Sequence, residues 1–265
     1  MEKDIYKKII KIPNFVYIGN PFLCKIHNGN NQLVFKYGGK SLSKYLKCAK
    51  KEKKDVFKLV LAGLSNIIYG IYSLNKNGIH HFDIKTRNIL IIENEDNFPF
   101  IRIIDFGLVY FESDGLDDLL NSTLNQLDYF YPPESFYLSL KEKKLSHIPE
   151  NFFGDREFPI ELDLEEFHSV QNKLNRFSKK KQKDVILNHI DMFMFGEVIL
   201  ELFRYRKYHK KDEQLVEDLD SFIVKICHNN VFKRLSNREA CEEYFKIVKK
   251  HTKFGKFSDS YMKLL

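Results

Sequence analysis

The chain has 265 residues and a formal net charge of +7, and 43% of its residues are hydrophobic and 30% charged. These proportions favour an ordinary soluble globular protein with ample length for a buried core, and no apolar run approaches the roughly 20 residues of a membrane span. The charged start MEKDIYKKII lacks a signal peptide's apolar centre, and the four cysteines are scattered without a CxxC pair, so we expect an intracellular protein with free thiols.

The first 37 residues predict one helix and three short strands. Isoleucines recur at helical spacing over residues 2–11. Apolar runs at 15–18, 22–26 and 32–37 predict strands, and HNGNN at 27–31 predicts the turn before the last of them.

A long apolar helix dominates the next part of the chain. The sequence GGKSLSKYL opens a first helix, with Ser41 or Ser43 as its N-cap. Residues 55–77 then form a helical segment that is apolar on more than one face, which indicates a central position in its domain. A loop and two strands follow, the second at 101–111 with a turn in its middle.

The last part of the chain predicts an irregular stretch and two helices. Residues 138–187 are charged and show little apolar periodicity, so we expect an irregular insertion there. Residues 192–203 predict a buried apolar helix, and residues 238–251 predict an amphipathic one.

Four polar residues lie beside the two predicted strands that follow the long helix. Asp83, Lys85 and Asn88 precede the first strand, and Asp105 lies on the second. A hairpin that joins the strands would place Asn88 and Asp105 at one end, where their oxygens suit Mg²⁺. There Asp83 is placed to accept a proton from a hydroxyl group, and Lys85 to neutralise a phosphoryl group in transfer.

These residues lie in HFDIKTRN (81–88) and DFG (105–107), which resemble the catalytic and metal-binding loops of eukaryotic-type serine/threonine protein kinases. Three further segments match in the same order, YPPE (131–134), DMFMFGEVILEL (191–202) and RLSNREA (234–240). The resemblance implies an α+β, protein-kinase-like bilobal fold, with a truncated β-rich N-lobe and a mainly helical C-lobe. A lysine two places after the first motif's aspartate is the serine/threonine-kinase form.

The resemblance implies a catalytic role for each of the four polar residues, with ATP and Mg²⁺ as cofactors. Asp83 would be the catalytic base, and Lys85 would contact the phosphate. Asn88 and Asp105 would be the magnesium ligands.

The resemblance implies structural roles for three further residues. Glu134 would pair with a buried arginine, for which Arg234 is the candidate. Asp191 would brace the catalytic loop by binding its backbone.

The resemblance also divides the chain. Residues 1–37 would form a residual N-lobe whose hinge lies at 33–37, and residues 38–265 would form the C-lobe with the insertion at 138–187. The hinge backbone would hold the adenine of ATP at Phe35, Lys36 and Tyr37.

The predicted N-lobe is shorter than in the resembled family. Only 32 residues precede the hinge, and they contain no G-x-G-x-x-G loop. Lys25 lies too close to the hinge to be the ATP-anchoring lysine. The better alignment makes residues 2–11 the N-lobe helix, with Glu2 at its ion-pairing position. The chain is then a truncated kinase, a fragment whose true start lies upstream, or a lobe that another subunit completes.

Other departures concern control and substrate choice. Phe82 replaces the arginine that normally meets an activation-loop phosphate, which argues against control through Ser122 or Thr123. Leu127 stands where serine/threonine kinases usually have a threonine. Reduced kinases of large DNA viruses resemble this chain in their H-F-D loop.

Three functions remain open at this point. The first is Mg·ATP-dependent phosphorylation of protein serine or threonine with Asp83 as base. The alternative is a pseudokinase that acts as a binding or structural protein, because the glycine loop and anchoring lysine are missing. A small-molecule phosphotransferase uses a similar H-x-D loop, but such enzymes usually lack the P-P-E segment.

The expected partner is a protein substrate or binding protein of unknown identity, with a further partner contact at 138–187. Neither a membrane nor nucleic acid is expected. The basic runs at 47–54 and 179–183 are interpreted as solvated faces. His80 and His81 are adjacent, so they point apart and make a poor metal pair.

Overall fold

The computed structural model describes residues 22–25, 31–34, 38–93, 99–113, 132–135, 164–206 and 212–265. Over these residues the chain forms a mainly helical body with three small antiparallel sheets, which is the α+β architecture predicted. The predicted helix at 2–11, the strand at 15–18 and the hinge residues Phe35, Lys36 and Tyr37 lie outside the described residues.

Among the described residues, seven short strands form the three antiparallel sheets. In the first sheet Phe22 lies opposite Val34, which confirms two of the predicted N-terminal strands. The other two sheets have the strand orders β3-β5-β6 and β4-β7. The strands are β1 (Phe22–Lys25), β2 (Asn31–Val34), β3 (Lys40–Ser41), β4 (Ile79–His80), β5 (Ile89–Glu93), β6 (Pro99–Ile103) and β7 (Tyr110–Phe111).

The helices form the main core of the described chain. They are α1 (Leu42–Lys51), α2 (Phe57–Lys76), α3 (Leu164–Asn175), α4 (Lys179–Phe203), α5 (Glu213–Ile226), α6 (Asn237–His251) and α7 (Gly255–Met262). The N-cap of α1 is Ser41, whose Oγ accepts a hydrogen bond of 3.4 Å from the Lys44 backbone amide. One of the two predicted caps is therefore confirmed.

Helix α2 is the centre of the core. Its apolar residues are buried on nearly every face, as the two-sided apolar pattern predicted. By length and composition alone this helix could cross a membrane, which corrects the expectation that no apolar run is long enough. Because 83% of the most apolar stretch of this helix is buried inside the protein, packing in the core accounts for its composition.

The expectation of irregular structure over 138–187 is wrong for its second half. Residues 164–175 form α3, in which Phe167, Val170 and Leu174 are buried at helical spacing. The buried apolar helix predicted at 192–203 begins already at Lys179. Lysine and glutamine are good helix formers, so the charged sequence of its first turns is compatible with a helix. Whether 138–187 is an insertion relative to the family stays a prediction.

A close contact between α4 and the end of α5 requires glycine at position 196. A Cβ atom built on Gly196 would lie 2.2 Å from the Cys227 sulfur, which is itself fully buried. We expect Gly196→Ala to lower the free energy of unfolding by about 2 kcal/mol, because overpacking outweighs the gain in helix propensity. Urea denaturation of the purified variants measures this.

Cys227→Ala provides the matched background. Removing the sulfur makes room for the new methyl group, so most of the Gly196→Ala destabilisation should disappear in the double variant. Equal destabilisation by Gly196→Ala in both backgrounds would show that the sulfur contact is not the cause.

Candidate active site

The β5-β6 hairpin brings Asn88 and Asp105 to the same end of a sheet. Ile89 lies opposite Ile103 in the antiparallel register. Just beyond that pair, the Ile104 amide donates a 2.9 Å hydrogen bond to the Asn88 carbonyl oxygen. Asn88 is buried and Asp105, the next residue after Ile104, is exposed. The sequence therefore predicted this juxtaposition correctly.

Asp83 is held in place by the two other polar residues of its loop. The Asn88 side-chain nitrogen donates to the Asp83 carboxylate at 2.6 Å and to its backbone oxygen at 3.1 Å. The Lys85 ammonium lies 2.6 Å from the other carboxylate oxygen. The Asp83 side chain is 7% exposed and that of Lys85 is 35% exposed, so the lysine is the more exposed member of the pair.

The backbone of this loop is anchored by a buried carboxylate on α4. Asp191 is fully buried, and its two oxygens accept hydrogen bonds from the amides of His81 (2.8 Å) and Phe82 (2.9 Å). Phe82 has a φ of 63°, in the left-handed region that side chains disfavour. Such backbone strain persists only where surrounding contacts enforce it, and here two backbone hydrogen bonds to one carboxylate do so.

Asn75, near the end of α2, links four elements around the same carboxylate. Its side-chain nitrogen donates to Asp191 at 3.0 Å and to the Ile79 carbonyl at 3.1 Å. Its side-chain oxygen accepts a 2.7 Å hydrogen bond from Asn237 at the start of α6. Sequence analysis missed this residue. The available signal was a polar side chain in the last turn of an apolar helix, just before the catalytic-loop motif.

His81 connects the catalytic loop to the DFG segment. Its Nε2 donates to the Ile104 carbonyl at 3.1 Å, and its Nδ1 accepts from the Asp83 amide at 3.3 Å. This network assigns the neutral Nε2–H tautomer. Burial lowers the pKa of His81, and the nearby carboxylates of Asp191 and Asp83 oppose that shift only in part. The ring packs on Phe106 with centroids 4.8 Å apart.

The two adjacent histidines make different contacts. His80 Nε2 lies 3.0 Å from a Glu112 carboxylate oxygen, whereas His81 contacts Ile104. The Phe82 side chain, where the loop contacts β7, is fully buried. Its ring lies edge-on to the Tyr110 ring, with the ring centroids 6.1 Å apart. A buried phenylalanine packed against another aromatic ring thus stands where the resembled family carries an arginine.

Glu201, a second residue of α4, binds the loop at Thr86. The buried Thr86 hydroxyl donates a 2.7 Å hydrogen bond to the Glu201 carboxylate. Thr86 opens the short 3-10 turn that ends at Asn88. Sequence analysis missed Glu201, because an isolated acidic residue in an apolar helix gives no indication of its partner.

The oxygens near the hairpin end suit a hard cation. Because the Asn88 side-chain nitrogen faces Asp83, its side-chain oxygen is the atom left to bind a cation. Asp105, whose φ is 65°, supplies an exposed carboxylate that also accepts a 3.4 Å hydrogen bond from the Gly107 amide. One or two protein oxygens completed by phosphate and water are typical of Mg²⁺. In the described part of the chain no group of three or more His, Cys, Asp or Glu residues could hold a metal alone.

Glu134 and Arg234 form a fully buried ion pair. The Arg234 guanidinium donates through both Nη atoms to the two Glu134 oxygens, with Nη2 at 2.8 Å. Its Nε donates to the His228 carbonyl at 2.7 Å, and the guanidinium lies over the Phe193 ring at 4.8 Å. The structure therefore brings together the two residues that the resemblance paired. Breaking such a pair on one side typically costs about 3–5 kcal/mol.

Comparison with known proteins agrees with this geometry. The family model of the protein kinase domain matches residues 6–147, more than half of the chain. The chain belongs to the protein kinase family. The match includes HFDIKTRN, DFG and YPPE, whereas Asp191 and Arg234 lie beyond it and rest on the contacts described above.

Individual relatives of this kinase-family chain are protein kinases with limited overlap. It is 35% identical to death-associated protein kinase 2 of Mus musculus over 54 residues, 20% of this chain and 15% of the relative. It is 34% identical to the probable serine/threonine-protein kinase fnkE of Dictyostelium discoideum over 123 residues, 44% of this chain and 9% of the relative. The chain thus spans less than a fifth of either relative. The resemblance to viral kinases stays a prediction.

His189 on α4 generates a pH prediction for the kinase domain. Burial, together with the neighbouring Arg234 guanidinium, lowers the pKa of His189 to about 4. Between the ordinary histidine pKa and 4, the unfolded chain binds a proton that the folded chain does not, so stability falls as the pH falls. At pH 5 this one residue should cost about 2 kcal/mol relative to pH 7.

His189→Gln removes the contribution of this histidine to the pH dependence of stability while keeping a polar side chain. Urea denaturation at pH 7 and pH 5 should show a loss about 2 kcal/mol smaller in this variant than in wild type. His168→Gln, at an exposed position on α3, is the control and should behave as wild type. An equal pH dependence in wild type and His189→Gln would contradict the assignment.

Proposed function

We propose that this chain is a Mg·ATP-dependent protein kinase that phosphorylates serine or threonine, with Asp83 as catalytic base. The observation that carries the proposal is the fixed Asp83 carboxylate, held by Asn88 and Lys85 beside the hairpin end that presents Asp105. In this proposal residues 38–265 form the C-lobe and residues 1–37 the N-lobe region with the hinge.

Asp83 is placed to orient the acceptor hydroxyl group and take its proton. Of its two carboxylate oxygens, one is occupied by the Asn88 amide, and the other faces the Lys85 ammonium at 2.6 Å. Because the Lys85 head is partly exposed, it can turn toward an incoming phosphoryl group and leave that oxygen to the substrate hydroxyl. General base catalysis of this kind contributes about 10²–10⁴-fold to the rate.

Asn88 and Asp105 are the residues that would hold the magnesium ion, because both lie at the same end of the hairpin and carry side-chain oxygens. When bound, Mg·ATP supplies the phosphoryl group and neutralises its charge. The role of this chain is then to position: Lys85 meets the phosphate, and Asp191 fixes the backbone that carries Asp83.

The alternative is a pseudokinase that binds a partner without turnover. It is favoured by the sequence of residues 1–37, in which neither a G-x-G-x-x-G loop nor a lysine suitably spaced from the hinge occurs. The relatives are named as kinases, which describes those proteins. For this chain the two functions are separated by experiment.

Asp83→Asn is the variant that tests the proposal. Transfer of labelled phosphate from ATP to a mixed serine, threonine and tyrosine peptide library should fall by about 10²-fold or more, because the base is lost. Mg²⁺-dependent ATP binding, measured by calorimetry, should persist in this variant and be lost in Asp105→Asn. Asp220→Asn, at an exposed position on α5, is the matched control for both assays.

The outcomes distinguish the two functions. Labelled phosphoserine or phosphothreonine with wild type, absent with Asp83→Asn, supports the kinase. Binding without transfer by wild type supports the pseudokinase. Undiminished transfer by Asp83→Asn would contradict Asp83 as the base.

A further inference from the structure

A concentrated positive surface lies where α3 turns into α4. Residues 173–183 contain six basic side chains and no acidic one. We call these six side chains the basic elbow: Lys173, Arg176, Lys179, Lys180, Lys181 and Lys183. Arg176 and the three consecutive lysines at the start of α4 are exposed. Like charges this close repel one another, so the arrangement favours an anionic partner.

The turn beneath the basic elbow is fixed by buried contacts. The Gln182 side chain, 5% exposed, donates to the carbonyls of Leu174 (2.9 Å) and Phe177 (3.0 Å), which joins α3 to α4. A small apolar cluster that includes Leu174, Ile186 and Val231 packs below it. The lysines therefore project from a rigid support, which lowers the entropy cost of binding.

The basic elbow abuts the sheet that carries the catalytic loop. The Lys183 ammonium donates to the Glu112 backbone oxygen at 3.3 Å and lies 4.7 Å from the centre of the Tyr110 ring. Tyr110 on β7 pairs with His80 on β4, immediately before the catalytic loop. Lys183 of the basic elbow therefore contacts the strand that pairs with the residues immediately before the catalytic loop.

We propose that the basic elbow docks an acidic segment of the protein substrate. This inference rests on the proposed kinase function, and it adds the chemical class of the substrate. Several lysines that act together on a carboxylate-rich segment raise the association rate and select against basic partners. Among the described residues, the Glu112 carboxylate lies against His80, that of Glu166 lies against Lys233, and Asp184 is a single exposed acidic residue directly after the six basic ones.

An acidic protein segment fits better than nucleic acid or a membrane. Single-stranded nucleic acid binds where basic groups alternate with aromatic rings open for stacking. The rings described at the turn are covered by cations: the Lys181 ammonium lies 4.3 Å from the Phe177 ring and the Lys173 ammonium 3.8 Å from the Phe232 ring, and the two rings pack edge-on against each other. Membrane surfaces require exposed apolar residues beside the charges. Among the described residues the exposed large hydrophobic side chains lie elsewhere, at Ile92, Val224, Met262 and Leu264.

Charge reversal tests the docking surface without requiring turnover. The elbow variant is Lys179→Glu/Lys180→Glu/Lys181→Glu. The control variant is Lys246→Glu/Lys256→Glu/Lys263→Glu, which makes the same change in net charge at exposed positions around α6 and α7. The probe is a fluorescent peptide of glutamates around one serine, with glutamine in place of glutamate as the neutral probe. Fluorescence anisotropy measures binding, and thermal unfolding verifies that each variant folds.

The elbow variant should bind the acidic peptide at least about tenfold more weakly than wild type, and the control variant should remain within about twofold. Equal binding by the elbow variant and wild type, or equal losses in the two variants, would overturn the proposal. The proposal would also be overturned if wild type bound a single-stranded oligonucleotide or phosphatidylserine vesicles more tightly than the acidic peptide, and only the elbow variant lost that binding. Failure of the kinase function itself is seen separately, as absence of phosphate transfer to the mixed peptide library by wild type.

Discussion

The structure around the candidate active site depends on one buried carboxylate. Asp191 accepts hydrogen bonds from the amides of His81 and Phe82 and from the Asn75 side chain, and it has no exposed surface. A buried carboxylate is stable only when such donors replace its hydration. The same bonds enforce the left-handed backbone of Phe82, which directs the following residue, Asp83, toward Asn88 and Lys85. The α4 helix therefore determines the geometry of a loop more than 100 positions earlier in the chain.

Polar contacts buried in the helical core repeat this arrangement at other points. Glu201 on α4 binds Thr86 of the catalytic loop, and the Glu134–Arg234 pair joins the YPPE segment to the turn before α6. Each contact links residues about 100 positions apart, so the loop keeps its shape only when the helical core is folded. This coupling fixes the loop that carries the candidate catalytic side chains to the helical core, although these side chains lie on loops and at the end of a short hairpin.

Local patterns allowed the sequence to predict the hairpin, the Ser41 cap, the central helix and the proximity of Asn88 to Asp105. Long-range polar partners were predictable only where a family resemblance named them, as for Asp191 and for Arg234. Asn75 and Glu201 were not found, because a polar residue in an apolar helix does not by itself indicate which distant residue it binds. The helices over 164–187 were missed because frequent lysines and glutamates obscured the spacing of Phe167, Val170 and Leu174.

Amide hydrogen exchange in Asp191→Asn tests the central claim most directly. Asparagine keeps the size of the side chain but replaces one acceptor oxygen with a donor, so at most one of the two loop amides keeps a good partner. The account predicts that exchange at His81 and Phe82 accelerates strongly, while amides in the middle of α2, such as those of Ile67 and Ile68, stay protected. Unchanged protection at His81 and Phe82, or an equal loss along α2, would contradict the claim that this carboxylate specifically holds the loop.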